Sequence, residues 1–224
     1  MRNMPARQIV AVISSRTDLA RAARMRNPPD FFELRLDAAA RRIRELENAL
    51  GRLRAPLIIT ARHPKEGGLN QLSARERRDL LRQFLPHAAC MDVELRSAGP
   101  LRPVLDHARA RNVRIIISYH NFGHTPAATR LDQIARASQS LGADFLKIAT
   151  RTDTPAQLAR LVDFFERQRG KTEISAMGMG RLGRISRLEF VRRGSALNYA
   201  HLGTRQTAGQ LSLPELRRAL KTRS

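Results

Sequence analysis

Eight short apolar runs recur along the chain, each followed by a stretch with helical periodicity, and this alternation constrains the fold more than any other feature. The runs at 8–14, 31–36, 57–60, 90–95, 114–118, 145–149, 173–177 and 198–202 are too short for helices and are bounded by turn residues. They predict strands buried on both faces, as in a parallel sheet. Between them, 17–25, 38–53, 73–85, 101–110, 128–141, 154–169, 186–193 and 213–220 carry apolar residues at helical spacing. Repeated βα units build either a doubly wound sheet or a closed eightfold barrel, and a count of eight favours the barrel. No Gly-x-Gly-x-x-Gly follows the first strand and no phosphate-loop pattern occurs, which argues against a nucleotide-binding sheet. The expected fold is therefore α/β: a single-domain (β/α)8 TIM barrel over residues 1–224, with a short N-terminus.

At 224 residues and 42% hydrophobic, the chain can bury one large core. No apolar run approaches the roughly 20 residues that span a bilayer, and no signal peptide heads the chain, so no membrane association is expected. Cys90 is the single cysteine, which excludes an internal disulfide framework and fits a cytoplasmic protein. The net charge of +21 would suit a nucleic-acid partner. The arginines are scattered in short groups on helix surfaces, and only eight Phe and two Tyr are available to stack on bases. A generally basic surface that draws in small anions accounts for the pattern better, with no nucleic acid as partner.

Within this basic chain, lysine is rare: Lys65, Lys147, Lys171 and Lys221 are the only four among 41 basic residues. Lys147 alone sits inside an apolar strand, Phe145-Leu146-Lys147-Ile148-Ala149. A strand-end lysine reaching solvent is the bland alternative. Yet arginine cannot lose its proton in a protein, whereas a desolvated lysine can, and the neutral amine attacks carbonyls. In an eightfold barrel, reactive groups belong at the C-terminal ends of the strands. The second strand ends Glu33-Leu34-Arg35-Leu36-Asp37, with three charges on one face. They form either an internal ion-pair cluster or a ligand site; for Asp37, helix capping is expected. Arg62 follows the third strand, Asp92 and Glu94 share a face of the fourth, and His120 follows the fifth. Arg187 follows the seventh, and Gln206 to Gln210 form a flexible loop after the eighth. A histidine near a carboxylate is a plausible acid/base. His124 is too poorly spaced from His120 for a metal pair, and no metal is expected. Lysine, histidine and arginines together suit proton abstraction beside an imine, leaving aldol cleavage, dehydration and isomerisation open.

Several landmarks recur in one order along nearly the whole chain. They are Glu33-x-Arg35-x-Asp37, Thr60-x-Arg62 with Glu66-Gly67-Gly68, Asp92-x-Glu94, Ser118-x-His120-x-Phe122 with Thr125-Pro126, and Gly142-Ala143-Asp144-x-x-Lys147-Ile148-Ala149. Met179-Gly180-x-x-Gly183-x-x-Ser186-Arg187, Gly194-Ser195 and Gly209-Gln210 complete the series. In this the chain resembles the type I 3-dehydroquinate dehydratases, Schiff-base enzymes of the shikimate pathway. The resemblance implies an imine between Lys147 and the C3 carbonyl of 3-dehydroquinate. It implies that His120 takes the C2 proton and returns it to the departing C1 hydroxyl, with Glu94 orienting His120. Arg187 would hold the substrate carboxylate, and Glu33, Arg35, Arg62, Gln206 and Gln210 would bind hydroxyls and close the pocket. No cofactor is implied, and a homodimer is usual. One departure stands out: relatives often read Ser-Ala-Pro-Gly-Gln where this chain has Gln206-Thr207-Ala208-Gly209-Gln210, which should loosen the lid. A class I aldolase, a dehydratase for a related cyclic hydroxy-ketoacid, and a basic nucleic-acid-binding protein are the rival readings.

Overall fold

Burial on both faces, read from the apolar runs, is what the computed structural model of the chain displays; it describes residues 7–221. The eight strands are β1 (Gln8–Ile13), β2 (Phe31–Arg35), β3 (Leu57–Thr60), β4 (Ala88–Glu94), β5 (Arg114–Asn121), β6 (Phe145–Arg151), β7 (Glu173–Met179) and β8 (Leu197–His201). They pair in parallel in the order β7-β6-β5-β4-β3-β2-β1-β8. Along each strand, alternate side chains enter different cores. Ala11, Phe32, Leu34, Ile59, Met91, Val93, Ile115 and Ile117 pack outward against helices. Val10, Val12, Ile58, Cys90, Ile116, Ala149 and Tyr199 pack inward on one another. This arrangement is the period of two of a strand, expressed as an inside and an outside.

The helices are α1 (Arg16–Ala23), α2 (Leu36–Ala39), α3 (Ile43–Ala49), α4 (Ala74–Phe84), α5 (Arg102–Ala110), α6 (Ala128–Ser140), α7 (Pro155–Gln168), α8 (Gly183–Arg193) and α9 (Leu213–Lys221). Two starts are fixed by capping boxes, Ser73 with Glu76 ahead of α4 and Thr154 with Gln157 ahead of α7, each satisfying two otherwise orphaned backbone donors. The single helix expected over 38–53 is instead broken into α2, a 3-10 turn at Ala40–Arg42, α3 and a second 3-10 turn at Leu50–Arg52. No side chain caps either helix, and Arg42 leaves the helical region at φ −141°. A two-residue strand, β9 (Leu211–Ser212), extends the sheet beside β8 and was not visible in the sequence.

The barrel closes between β7 and β8 by a seam instead of a full ladder. Ala196 N–H donates to Ile174 O at 2.9 Å, and the Ser175 hydroxyl donates to Leu197 O. The expected short N-terminus falls on residues 1–6, outside the described residues. Among the described residues, no helix is long and apolar enough to cross a membrane.

Candidate active site

The parallel register decides which polar side chains share a level inside the barrel. Ser118 of β5 lies beside Lys147 of β6 and Glu94 of β4, while His120 lies beside Ala149, two residues nearer the C-terminal mouth. Lys147 is 4% exposed, so the bland alternative of a solvent-facing lysine is excluded. Its Nζ donates to Asp92 Oδ2 at 2.9 Å and to Glu33 Oε1 at 3.2 Å. The ring of Tyr199, on β8, lies beneath it, 3.8 Å from Nζ to the centroid.

Behind these groups runs a chain of alternating buried charges. Arg62 grips Asp92 with two bonds, Nη2 to Oδ2 at 2.7 Å and Nη1 to Oδ1 at 3.1 Å, and also reaches Glu94 Oε1 at 3.1 Å. Glu94 in turn accepts from Arg77 of α4, from Ser97 Oγ at 2.8 Å and from the His63 N–H at 2.9 Å. Arg77, Glu94, Arg62, Asp92, Lys147 and Glu33 thus alternate in sign and sum to zero when Lys147 is cationic. Such charges are tolerable in a dry interior because each has an opposite partner. Burial alone would raise Asp92, but the Arg62 and Lys147 charges outweigh it and hold the carboxyl below its usual range. Burial likewise opposes the charge of Arg62, and its carboxylate partners more than restore it.

His120 faces the cavity from above. Its Nδ1 lies 3.0 Å from Glu66 Oε2, and the same oxygen accepts its backbone N–H at 2.9 Å. Burial, then the nearby Arg62 and Lys147 charges, pull the imidazole well below its ordinary range and keep it neutral near pH 7. Burial, then repulsion from Glu94, pushes the Glu66 carboxyl up to about 7. The expected bond from Glu94 to His120 is not formed. Glu94 sits one level deeper, opposite Ser118, and its oxygens are taken by Arg62, Arg77, Ser97 and His63. Glu66 instead arrives from the 3-10 turn Pro64–Glu66 after β3. The turn can fold this tightly because Gly67 adopts φ 82° and a Cβ on Gly68 would lie 2.2 Å from Arg62 O.

Asp37 also departs from expectation. It caps no helix: its carboxylate takes two bonds from Arg35 and the backbone N–H groups of Arg62 and Leu69, tying β2 to the β3 loop. Arg35 is thereby held at the mouth, with Nη2 also on Gly67 O at 2.9 Å. Arg187 of α8 is different. It is buried, its Nε has no partner, and Nη1 has only long contacts to Met177 Sδ at 3.6 Å and Tyr199 O at 3.5 Å. Burial without a counter-anion pulls it down to about 10. A guanidinium left this way is a socket for an anion. In the lid, Gln206 N–H donates to Gln210 Oε1 at 2.8 Å, and Gln206 Nε2 donates to Ser14 Oγ at 2.6 Å.

Glu33, Arg35, Arg62, His120, Lys147, Arg187, Gln206 and Gln210 all line one cavity that is open at the mouth of the barrel. Glu94 is the predicted site residue that the structure leaves outside it. Glu66, Asp92 and Tyr199 were given no role from sequence. Glu66 stood beside a Gly-Gly turn and Asp92 shared a face with Glu94, which were the signals available; Tyr199 gave none beyond an aromatic on an inward position.

Residues 9–224 match the family model for Type I 3-dehydroquinase. A 3-dehydroquinate dehydratase of Thermococcus onnurineus is 35% identical over 196 residues, 86% of each chain. One of Klebsiella pneumoniae is 31% identical over 206 residues, covering 85% of this chain and 81% of its own. The crystal structure of the type I 3-dehydroquinate dehydratase from Clostridium difficile, with covalently modified comenic acid, superposes with a TM-score of 0.86. It is 27% identical and covers 97% of this chain and 92% of its own.

Proposed function

The chain belongs to the type I 3-dehydroquinase family, and we propose that it converts 3-dehydroquinate to 3-dehydroshikimate and water through an imine on Lys147. The observation that carries this reading is the setting of Lys147 Nζ: a buried amine between two carboxylates, in one cavity with a neutral histidine and an uncompensated arginine. Once the resting ammonium has lost a proton to solvent through the open mouth, the neutral amine attacks C3, and the carbinolamine loses water to give an iminium. Asp92 and Glu33, which hold the ammonium, then hold the iminium, so the alternating buried charges remain balanced. The iminium acidifies C2. With Glu66 ionised and accepting Nδ1–H, His120 Nε2 takes the C2 proton and the electron pair moves to nitrogen as an enamine. The returning pair expels the C1 hydroxyl, which His120 protonates as it leaves, and hydrolysis of the imine frees the product.

Arg187 would receive the substrate carboxylate, matching its missing anion with a charge-assisted bond. Glu33, Arg35 and the lid residues Gln206 and Gln210 are proposed to bind the ring hydroxyls. Arg62 faces the cavity, but its guanidinium is largely occupied by Asp92, Glu94 and Ser118, so we assign it first to holding Asp92. Glu94 acts through Arg62, away from the reacting atoms. The proposed working unit is a cytoplasmic homodimer of one catalytic domain, residues 1–224, with no cofactor, as membership of the family implies.

Mixing with 3-dehydroquinate and borohydride is expected to leave a covalent adduct on Lys147, read by mass spectrometry, and enone absorbance should appear in the unreduced reaction. His120→Ala should still form the adduct but turn over roughly 100-fold or more slowly, the usual contribution of a general acid/base. Folded protein giving neither adduct nor enone would sink the proposal.

A further inference from the structure

Tyr199 has a feature that core packing does not account for. Its side chain is buried inside the barrel, and its hydroxyl has no hydrogen-bond partner. A phenylalanine would fill the same space without burying an orphan donor, which is a cost to folding. The hydroxyl stays protonated: burial and then the Glu33 and Asp92 charges push it well above its ordinary range. What the residue does present is its ring, with the Lys147 nitrogen 3.8 Å from the centroid. The face of an aromatic ring is negative, and it attracts a cation most strongly where water is excluded. This nitrogen has three negative neighbours in all: the two carboxylates and the ring.

We propose that Tyr199 is a further functional residue of this site, whose ring face stabilises the cationic forms of the Lys147 nitrogen, the resting ammonium and the iminium, over the neutral amine and enamine. The consequence for turnover rests on the imine reading given above. The ring disfavours the neutral enamine, and so drives the electron pair back toward the iminium and the hydroxyl out. Unlike Asp92 and Glu33, the ring cannot accept a proton or compete with the substrate for donors. It holds charge without entering the chemistry.

The test uses ligand-free protein and changes the ring's electrons at nearly constant shape. Tyr199→Phe serves as the baseline, and the same position is then filled with mono-, di- and trifluorinated phenylalanine, each fluorine weakening the negative face. The rate at which cyanate carbamylates Lys147 at one fixed pH is read by mass spectrometry, because cyanate reacts only with the neutral amine. The rate should climb step by step with fluorination, about tenfold in total, as expected if roughly 1.4 kcal/mol of cation–π stabilisation is lost. Tyr199→Leu, which removes the ring, should label at least as fast as the trifluoro variant, with thermal midpoints recorded to confirm that each protein is folded. A labelling rate that stays flat along the fluorine series would overturn the role of the ring. No substrate is present, so this outcome is separate from failure of the imine reading, which the borohydride experiment decides.

Discussion

At the level of single residues, His120 and Glu66 share one proton in a way that the amino-acid sequence could not reveal. Burial raises Glu66 from 4.5 to about 7, while burial and nearby cations lower His120 from 6.5. Just below 6.5 the folded pair keeps its proton on Glu66, whereas the unfolded chain keeps it on the histidine. Both states bind one proton, so the pair adds no slope to stability in that window. Glu66→Gln should unmask the histidine: the unfolded state then binds more protons, and stability falls as pH drops below 6.5. His120→Asn should unmask the carboxyl: the folded state holds the extra proton, and stability falls as pH rises from 4.5 toward about 7. Thermal midpoints measured across that range check both signs, and parallel curves for parent and variants would refute the pairing. Arg187 lends itself to a second prediction. Arg187→Met removes a buried guanidinium with no counter-anion, so the midpoint should rise by about 2–4 °C for each kcal/mol gained. KM for 3-dehydroquinate should rise roughly 100-fold, the scale of a lost buried charge pair. Lys147 was legible because it stands out from its local sequence, and His120 because it follows a strand of the same barrel; Arg187, one of several arginines after the seventh strand, was singled out by its place there and by the family resemblance. Glu66 and Asp92 were not, since the partner of a buried charge is chosen by register and turn geometry, which composition does not encode.

Elements were legible where both faces obey one rule. The β strands are buried on both faces, so their positions followed within a few residues, although β5 and β6 run on past the predicted end with polar residues of the mouth and β7 with Gly178 and Met179. The predicted helix over 38–53 failed because periodicity says nothing about capping. Its natural cap, Asp37, is spent on Arg35, Arg62 and Leu69, and the segment breaks into short turns. The loop after β8 shows a similar limit. Its departure from Ser-Ala-Pro-Gly-Gln suggested a loose lid, yet Gln206 is tied to Ser14 at the end of β1 and to Gln210. Gly183 and Gly209 let the loop lie directly on the start of α8, since a Cβ on Gly209 would sit 2.6 Å from Arg184 N. Gln206→Ala should therefore loosen the lid at a cost of about 1 kcal/mol, seen as a KM rise of roughly fivefold with kcat little changed. A fall in kcat at unchanged KM would mean that Gln206 acts on the chemical step instead.

Taken as a whole, the molecule joins a legible architecture to a charge balance whose meaning was not legible. Counting eight βα units was enough to expect a barrel, but not to see that β7 and β8 meet across a seam. Arg187 crosses that seam toward Tyr199 O, beside the cavity it lines. The excess charge divides by location. Inside, the cations and carboxylates cancel around Lys147; outside, some arginines pair locally, as Arg193 does with Glu166 and Glu189. With 41 basic against 20 acidic residues, many positive charges remain on the surface. A field of this sign should draw an anionic substrate toward the mouth, and salt screens it over about 8 Å at physiological ionic strength. Raising salt from roughly 20 mM to 300 mM should thus lower kcat/KM severalfold while leaving kcat unchanged, because Lys147 and its carboxylate partners are buried and so are screened far less than the surface. If kcat falls in parallel, the salt acts on the fold or on the buried charges. If neither constant moves, the arginine excess plays no part in substrate capture, and steering must be given up as its explanation.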